Sequence, residues 1–168
     1  MNDEMIIWED LKPADKLAIK ALSTRNFSLF LKIWFQIIQG EKLMWNWHHS
    51  YFCHTVDEII AGKRKSTIVN VAPGSTKTEA FSIHLAPYAY LKCRKVRNLQ
   101  ISQGDALSKG NSDRVIKIFS SGEWQELWPS KFGRKQIDEF QVLDDNDRVR
   151  LEMVSRSSGG QIVGKRGG

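Results

Sequence analysis

Ser66-Thr67-Ile68-Val69-Asn70-Val71-Ala72-Pro73-Gly74-Ser75-Thr76-Lys77-Thr78-Glu79 decides how the chain is read. A β-branched run ends in a turn of small residues, and Lys-Thr then opens a helix-compatible segment. Buried strand, backbone cradle and helix N-terminus in that order form a phosphate-binding layout, because the first helical turn leaves N–H groups without intrahelical acceptors. In that layout Lys77 reaches the β- and γ-phosphates, Thr78 holds Mg²⁺ through its hydroxyl, and the amides of Gly74 to Lys77 line the cradle. The glycine pattern is incomplete. Val71 and Thr76 stand where the usual spacing has glycine, leaving Gly74 alone in the loop. An ordinary strand–turn–helix junction with a solvated lysine uses the same residues.

A length of 168 residues sets a prior of one domain with a sizeable core. No apolar run approaches the length of a membrane span. The N-terminus, Met1-Asn2-Asp3-Glu4, is acidic where a secretory signal is basic, which predicts a cytosolic protein. Cys53 and Cys93 lack CxxC spacing and read as reduced structural thiols. A formal charge of +6 favours a polyanionic partner, although a basic surface kept for solubility gives the same number.

Helices are predicted over 11–22, opened by Pro13-Ala14-Asp15, and over 27–38, densely aromatic and ended by Gly40. A third, over 50–61, places Phe52, Val56, Ile59 and Ile60 on one face and closes at Gly62 before Lys63-Arg64-Lys65. Then follow a strand over 67–71, the loop, and a helix over 77–85 disturbed at Pro87. The next elements are a strand over 96–102 and a helix over 105–120 with Leu107, Val115, Ile118 and Phe119 inward. A short helical turn over 123–128 stops at Pro129. Strands are expected over 139–143 and 148–155, joined by the acidic turn Asp144-Asp145-Asn146-Asp147. Strand–helix alternation after residue 65 predicts an α/β fold with a parallel sheet. The expected division is an N-terminal helical segment, 1–62, and a core, 63–168.

In this order the pieces resemble the N-terminal ATPase region of phage terminase large subunits, the motors that package DNA into procapsids. Trp47-His48-His49 looks like the family's adenine-side segment, and Asn70 to Glu79 like its variant Walker A, with a proline-led turn in place of the first glycine. Ile101-Ser102-Gln103-Gly104-Asp105-Ala106-Leu107, continuing to Ser112-Asp113-Arg114-Val115, looks like its second strand and the helix after it. Gly159 to Gly167 looks like the glycine-rich strand before Walker B.

The resemblance implies a partial P-loop NTPase of RecA/ASCE-like fold with ATP and Mg²⁺ as ligands. It implies that Trp47, His48, Pro73, Gly74, Ser75, Thr76, Lys77, Thr78 and Glu79 bind the nucleotide, with Thr78 on the metal. Lys77 and Arg114 carry the catalytic roles, Arg114 by reaching a neighbouring subunit's γ-phosphate, with Arg166 a second phosphate sensor. Partners in the intact protein would be double-stranded DNA, a terminase small subunit, a portal and a homo-oligomeric ring in the host cytoplasm, without a membrane. Walker B and the nuclease domain would follow Gly168, so the chain is expected to be an N-terminal fragment that hydrolyses ATP poorly. Two other readings stand beside this one: a non-catalytic basic nucleic-acid-binding module, and an inactive truncated product. A zinc site from His48, His49, Cys53 and His54 lacks a second ligand pair at suitable spacing.

Overall fold

Phe27 to Gln39 is apolar on nearly every face, and such a helix is stable only when surrounded. In the computed structural model, which describes residues 5–158, this helix (α2, Phe27–Gln39) lies in an N-terminal unit, Met1–Tyr88. Asn26 caps it, accepting from the Leu29 N–H at 3.0 Å. Gly40, at φ 67°, ends it by donating to the Gln36 carbonyl. Helices α1 (Pro13–Arg25) and α3 (Trp47–Ile60) pack against α2. Phe27, Phe30, Leu31 and Trp34 lose all solvent contact, and the Trp34 indole N–H donates to Ser23 Oγ at 3.1 Å.

One carboxylate joins three of these helices. Asp57 of α3 accepts from the Phe27 N–H, at the start of α2, at 3.1 Å. It also accepts from the Tyr88 hydroxyl at 2.8 Å, on a fourth helix, α4 (Leu85–Lys92). A π-helical segment, Glu79–His84, leads into α4. The sequence predicts that this helix ends near Leu85, yet it continues through Pro87 to Lys92. The Leu85 N–H bonds to the Ala80 carbonyl five residues back, and this wider turn re-spaces the carbonyls that the proline ring would otherwise meet.

The predicted strand over 67–71 does not form. Residues 66–72 are paired with no described strand, and Ile68 is 97% exposed. β-branched residues suit a pleated surface, but a strand also needs a neighbour for its N–H and C=O groups, and none is described here. The loop lies in the same compact unit, Met1–Tyr88, as the helices.

The second unit, Ala89–Gly168, holds a four-stranded mixed sheet in the order β1-β4-β3-β2. Strands β1 (Val96–Ser102) and β4 (Val149–Ser157) are parallel; β3 (Glu139–Leu143) and β2 (Lys131–Gln136) add antiparallel. The molecule is thus mixed α/β, and the all-parallel expectation is corrected by the two hairpin-connected strands. Leu151, Met153, Ser155 and Ser157 alternate inward along β4 beside Phe140 and Val142 of β3. Helix α5 (Asp105–Ser120) covers this face, buries Val115, Ile118 and Phe119, and pairs the Ser112 hydroxyl with that of Ser155. Leu107, expected inward, is 56% exposed on the first turn of α5. The short α6 (Gly122–Leu127) buries Trp124 against Phe119 and Tyr90. The glycine-rich segment 159–167 lies outside the described residues.

Removing the shared acceptor takes one hydrogen bond from the α2 amide and one from the Tyr88 hydroxyl. Asp57→Ala is expected to lower the unfolding free energy by about 2–3 kcal/mol, and Tyr88→Phe by about 1, in urea titrations.

Candidate functional site

The loop is built from backbone conformation. Gly74 has φ 81° and Thr76 φ 56°, so left-handed residues alternate just before the helix begins. Thr78 is already α-helical, at φ −61° and ψ −39°, and the Ala80 N–H bonds back to the Thr76 carbonyl at 3.2 Å. The Ser75 N–H closes the bend on the Ala72 carbonyl at 3.4 Å. Left-handed residues between right-handed ones turn successive N–H groups toward one concavity, the arrangement that holds anions.

A hollow of about 370 Å³ opens there, lined among the described residues by Val71 to Glu79. Lys77 and Thr78 both face it. Lys77 is exposed, and among the described residues nothing pairs with its ammonium. Space is not what requires glycine at 74, since a Cβ there would meet nothing within 4 Å; the positive φ is. A second hollow, about 360 Å³, shares Lys77 and Thr78 and is walled by Ile59, Val69 and Phe81. Arg64 on its rim is held by Glu58 at 2.6 Å, and that hydrogen bond keeps the Glu58 carboxyl below the usual carboxylate range.

Pro73, Gly74, Ser75, Thr76, Lys77, Thr78 and Glu79 are thus gathered around one concavity. Trp47 begins α3 at 72% exposure, its ring edge-on to Tyr51 with centroids 5.8 Å apart. His48 is half-buried, 4.1 Å from the His49 ring. The α3 side chain that reaches the loop is His49, which was not among the expected site residues. Its Nε2 hydrogen-bonds Thr76 Oγ1. The signal for it in the sequence is indirect: a β-branched residue at a glycine position needs a prop. Arg114 lies on α5 of the second unit, and Arg166 lies outside the described residues.

Burial depresses the His49 pKa, with His48 and then Lys32 adding repulsion, while the Asn46 backbone contact works the other way. Burial pushes the Cys53 thiol up to about 12, with Asp57 adding to the effect, so it is an inert core group. Asp144 accepts the Arg148 and Asn146 N–H groups at 2.9 and 3.0 Å, and these bonds hold its carboxyl low. That acid organises the β3–β4 turn. Among the described residues no three His, Cys, Asp or Glu side chains cluster as metal ligands, and no helix is long and apolar enough to cross a membrane.

No protein-family model, no curated protein and no solved structure matches this chain.

A depressed His49 pKa means the unfolded chain takes up the proton more readily than the native one. The stability due to neutral His49 is therefore complete above about pH 6.5 and declines as pH falls from there toward the lower native value. Urea denaturation across about pH 7.5 to 5.5 should show wild type losing stability faster than His49→Gln, which keeps a neutral N–H donor at every pH.

Proposed function

We propose that residues 71–79 bind the phosphates of ATP with Mg²⁺. We further propose that the chain is the N-terminal ATPase part of a DNA-packaging motor resembling phage terminase large subunits, with a partial P-loop NTPase core. The observation that carries the nucleotide site is the pair of left-handed residues, Gly74 and Thr76, set directly before a helix start in a hollow that also holds the unpaired Lys77. Such a surface offers amides, a helix N-terminus and one cation to a polyanion, with no core contact to give up.

The residues fit the group. Lys77 supplies a compact positive charge for the terminal phosphates, and the Thr78 hydroxyl supplies the hard oxygen donor that Mg²⁺ prefers. Bound Mg²⁺ would supply neutralisation of the charge that develops on the transferring phosphoryl group. The chain's own part is positioning: the bend aims the amides, and the Thr76 carbonyl anchors the first helical turn through the Ala80 N–H. Trp47 and His48 are the proposed adenine-side contacts, and Arg114 the arginine offered to a neighbouring subunit. Double-stranded DNA, a small subunit, a portal and a ring of copies complete the proposed assembly; the basic charge of the chain supports the DNA contact.

One observation favours the nucleic-acid-binding module instead. Trp47 and Tyr51 stand exposed one turn apart on α3, which is how stacking platforms for single strands are built. Lys77→Ala separates the two. On the motor reading it weakens Mg·ATP binding by about 10–100-fold in calorimetry and leaves DNA affinity unchanged. The opposite pattern, nucleotide binding intact and DNA affinity lost, supports the module.

A further inference from the structure

Thr76 is the one β-branched residue among the described left-handed positions; the others are Asp147 and three glycines. Threonine reaches φ 56° only against the clash of its own branched side chain with the backbone, and it persists there only if its surroundings over-determine it. Two contacts do so. The Thr76 hydroxyl donates to the Ser75 carbonyl at 2.6 Å, and its oxygen faces His49 Nε2.

The direction of these bonds sets the tautomer. The Asn46 N–H lies 2.9 Å from His49 Nδ1, nearer than the Asn46 carbonyl at 3.3 Å, and the shorter contact makes Nδ1 the acceptor. The Thr76 O–H is already committed to Ser75, so its oxygen must accept from Nε2–H. The chain runs one way: Asn46 N–H to Nδ1, Nε2–H to Oγ1, O–H to the Ser75 carbonyl. A neutral imidazole protonated on Nε2 satisfies this chain. The capping box of α3 is the first link, since His49 is the N3 residue that closes back on the Asn46 backbone. The groups facing the ring are His48 on its own helix, Lys32 from α2, and Trp45, 5.2 Å away, over which the Lys32 ammonium sits at 4.0 Å.

We propose that His49 is the positioning residue of the phosphate loop, holding Thr76 in the conformation that glycine would adopt unaided. This rests on the nucleotide-binding reading for its functional consequence, though not for its geometry. The hydrogen-bonded hydroxyl replaces glycine's conformational freedom with a fixed contact, and the fixed contact comes from the helix that also carries Trp47 and His48. Loop shape and the seat of α3 are therefore linked through a single ring.

The test is a double-mutant cycle on the full chain with two readouts. Mg·ATP affinity is measured by calorimetry, and the Thr76 backbone by its intraresidue amide–Hα NOE, which is strong only at positive φ. His49→Ala should weaken binding by about tenfold, the equivalent of one buried hydrogen bond, and abolish the strong NOE. His49→Ala with Thr76→Gly should recover affinity to within about threefold of wild type, because glycine takes up the left-handed conformation without a prop. Unchanged affinity and a persistent NOE in His49→Ala would overturn the proposal, as would a double variant no better than the single. If wild type binds no Mg·ATP, the nucleotide reading fails by itself. The NOE then decides the positioning role, its loss in His49→Ala supporting it and its survival refuting it.

Discussion

The hollow at residues 71–79 depends on a threonine held where threonines seldom rest. A left-handed non-glycine residue costs on the order of 1–3 kcal/mol, which the surrounding contacts must offset. Here the offset comes from α3, through His49, and α3 is itself seated by the N-terminal core. Phe52 packs against Phe81 of the π segment at 5.4 Å between centroids, and Asp57 ties α3 to the starts of α2 and to Tyr88. The loop at residues 71–79 is thus an extension of helical packing. It receives no support from a sheet ladder, since the segment before it is unpaired among the described residues.

Charge placement at the loop differs from that of the cations tied into ion pairs. Several cations elsewhere are paired: Arg64 with Glu58, Lys131 with Asp147, Arg156 with both Asp138 and Glu139, and Lys95 and Arg97 with Glu152. Exposed pairs of this kind contribute little to stability, but each neutralises a positive charge locally. Among the described residues Lys77 has no acid partner, and it lines the hollow with Val71 to Glu79. A cation without an acid partner at a helix start, where the dipole already disfavours it, supports the proposed binding of an anion from outside.

Local signals carried far where they agreed with packing. Val96–Ser102 and Asp105–Ser120 match their predicted bounds, and Gly40 ends α2 as a left-handed cap should. They failed where the deciding partner is distant. Ser66 to Val71 has strand composition, but composition supplies no neighbouring ladder. Strand β2, Lys-Phe-Gly-Arg-Lys-Gln, has Phe132 as its one apolar side chain and stands at the sheet edge, so it shows no alternation to read. The π segment before Pro87 hides its register in a sequence that looks like an interrupted α-helix. His49 is 27 residues from Thr76, and nothing local marks it except the missing glycine at the other end of the contact.

Amide-resolved NMR during titration with Mg·ATP tests the phosphate site most directly, because it reports the loop's own N–H groups without altering any residue. The account predicts saturable shifts concentrated at the amides of Gly74 to Thr78. Saturating nucleotide that leaves those five resonances unmoved, or shifts confined to the basic run Lys63-Arg64-Lys65, would contradict it.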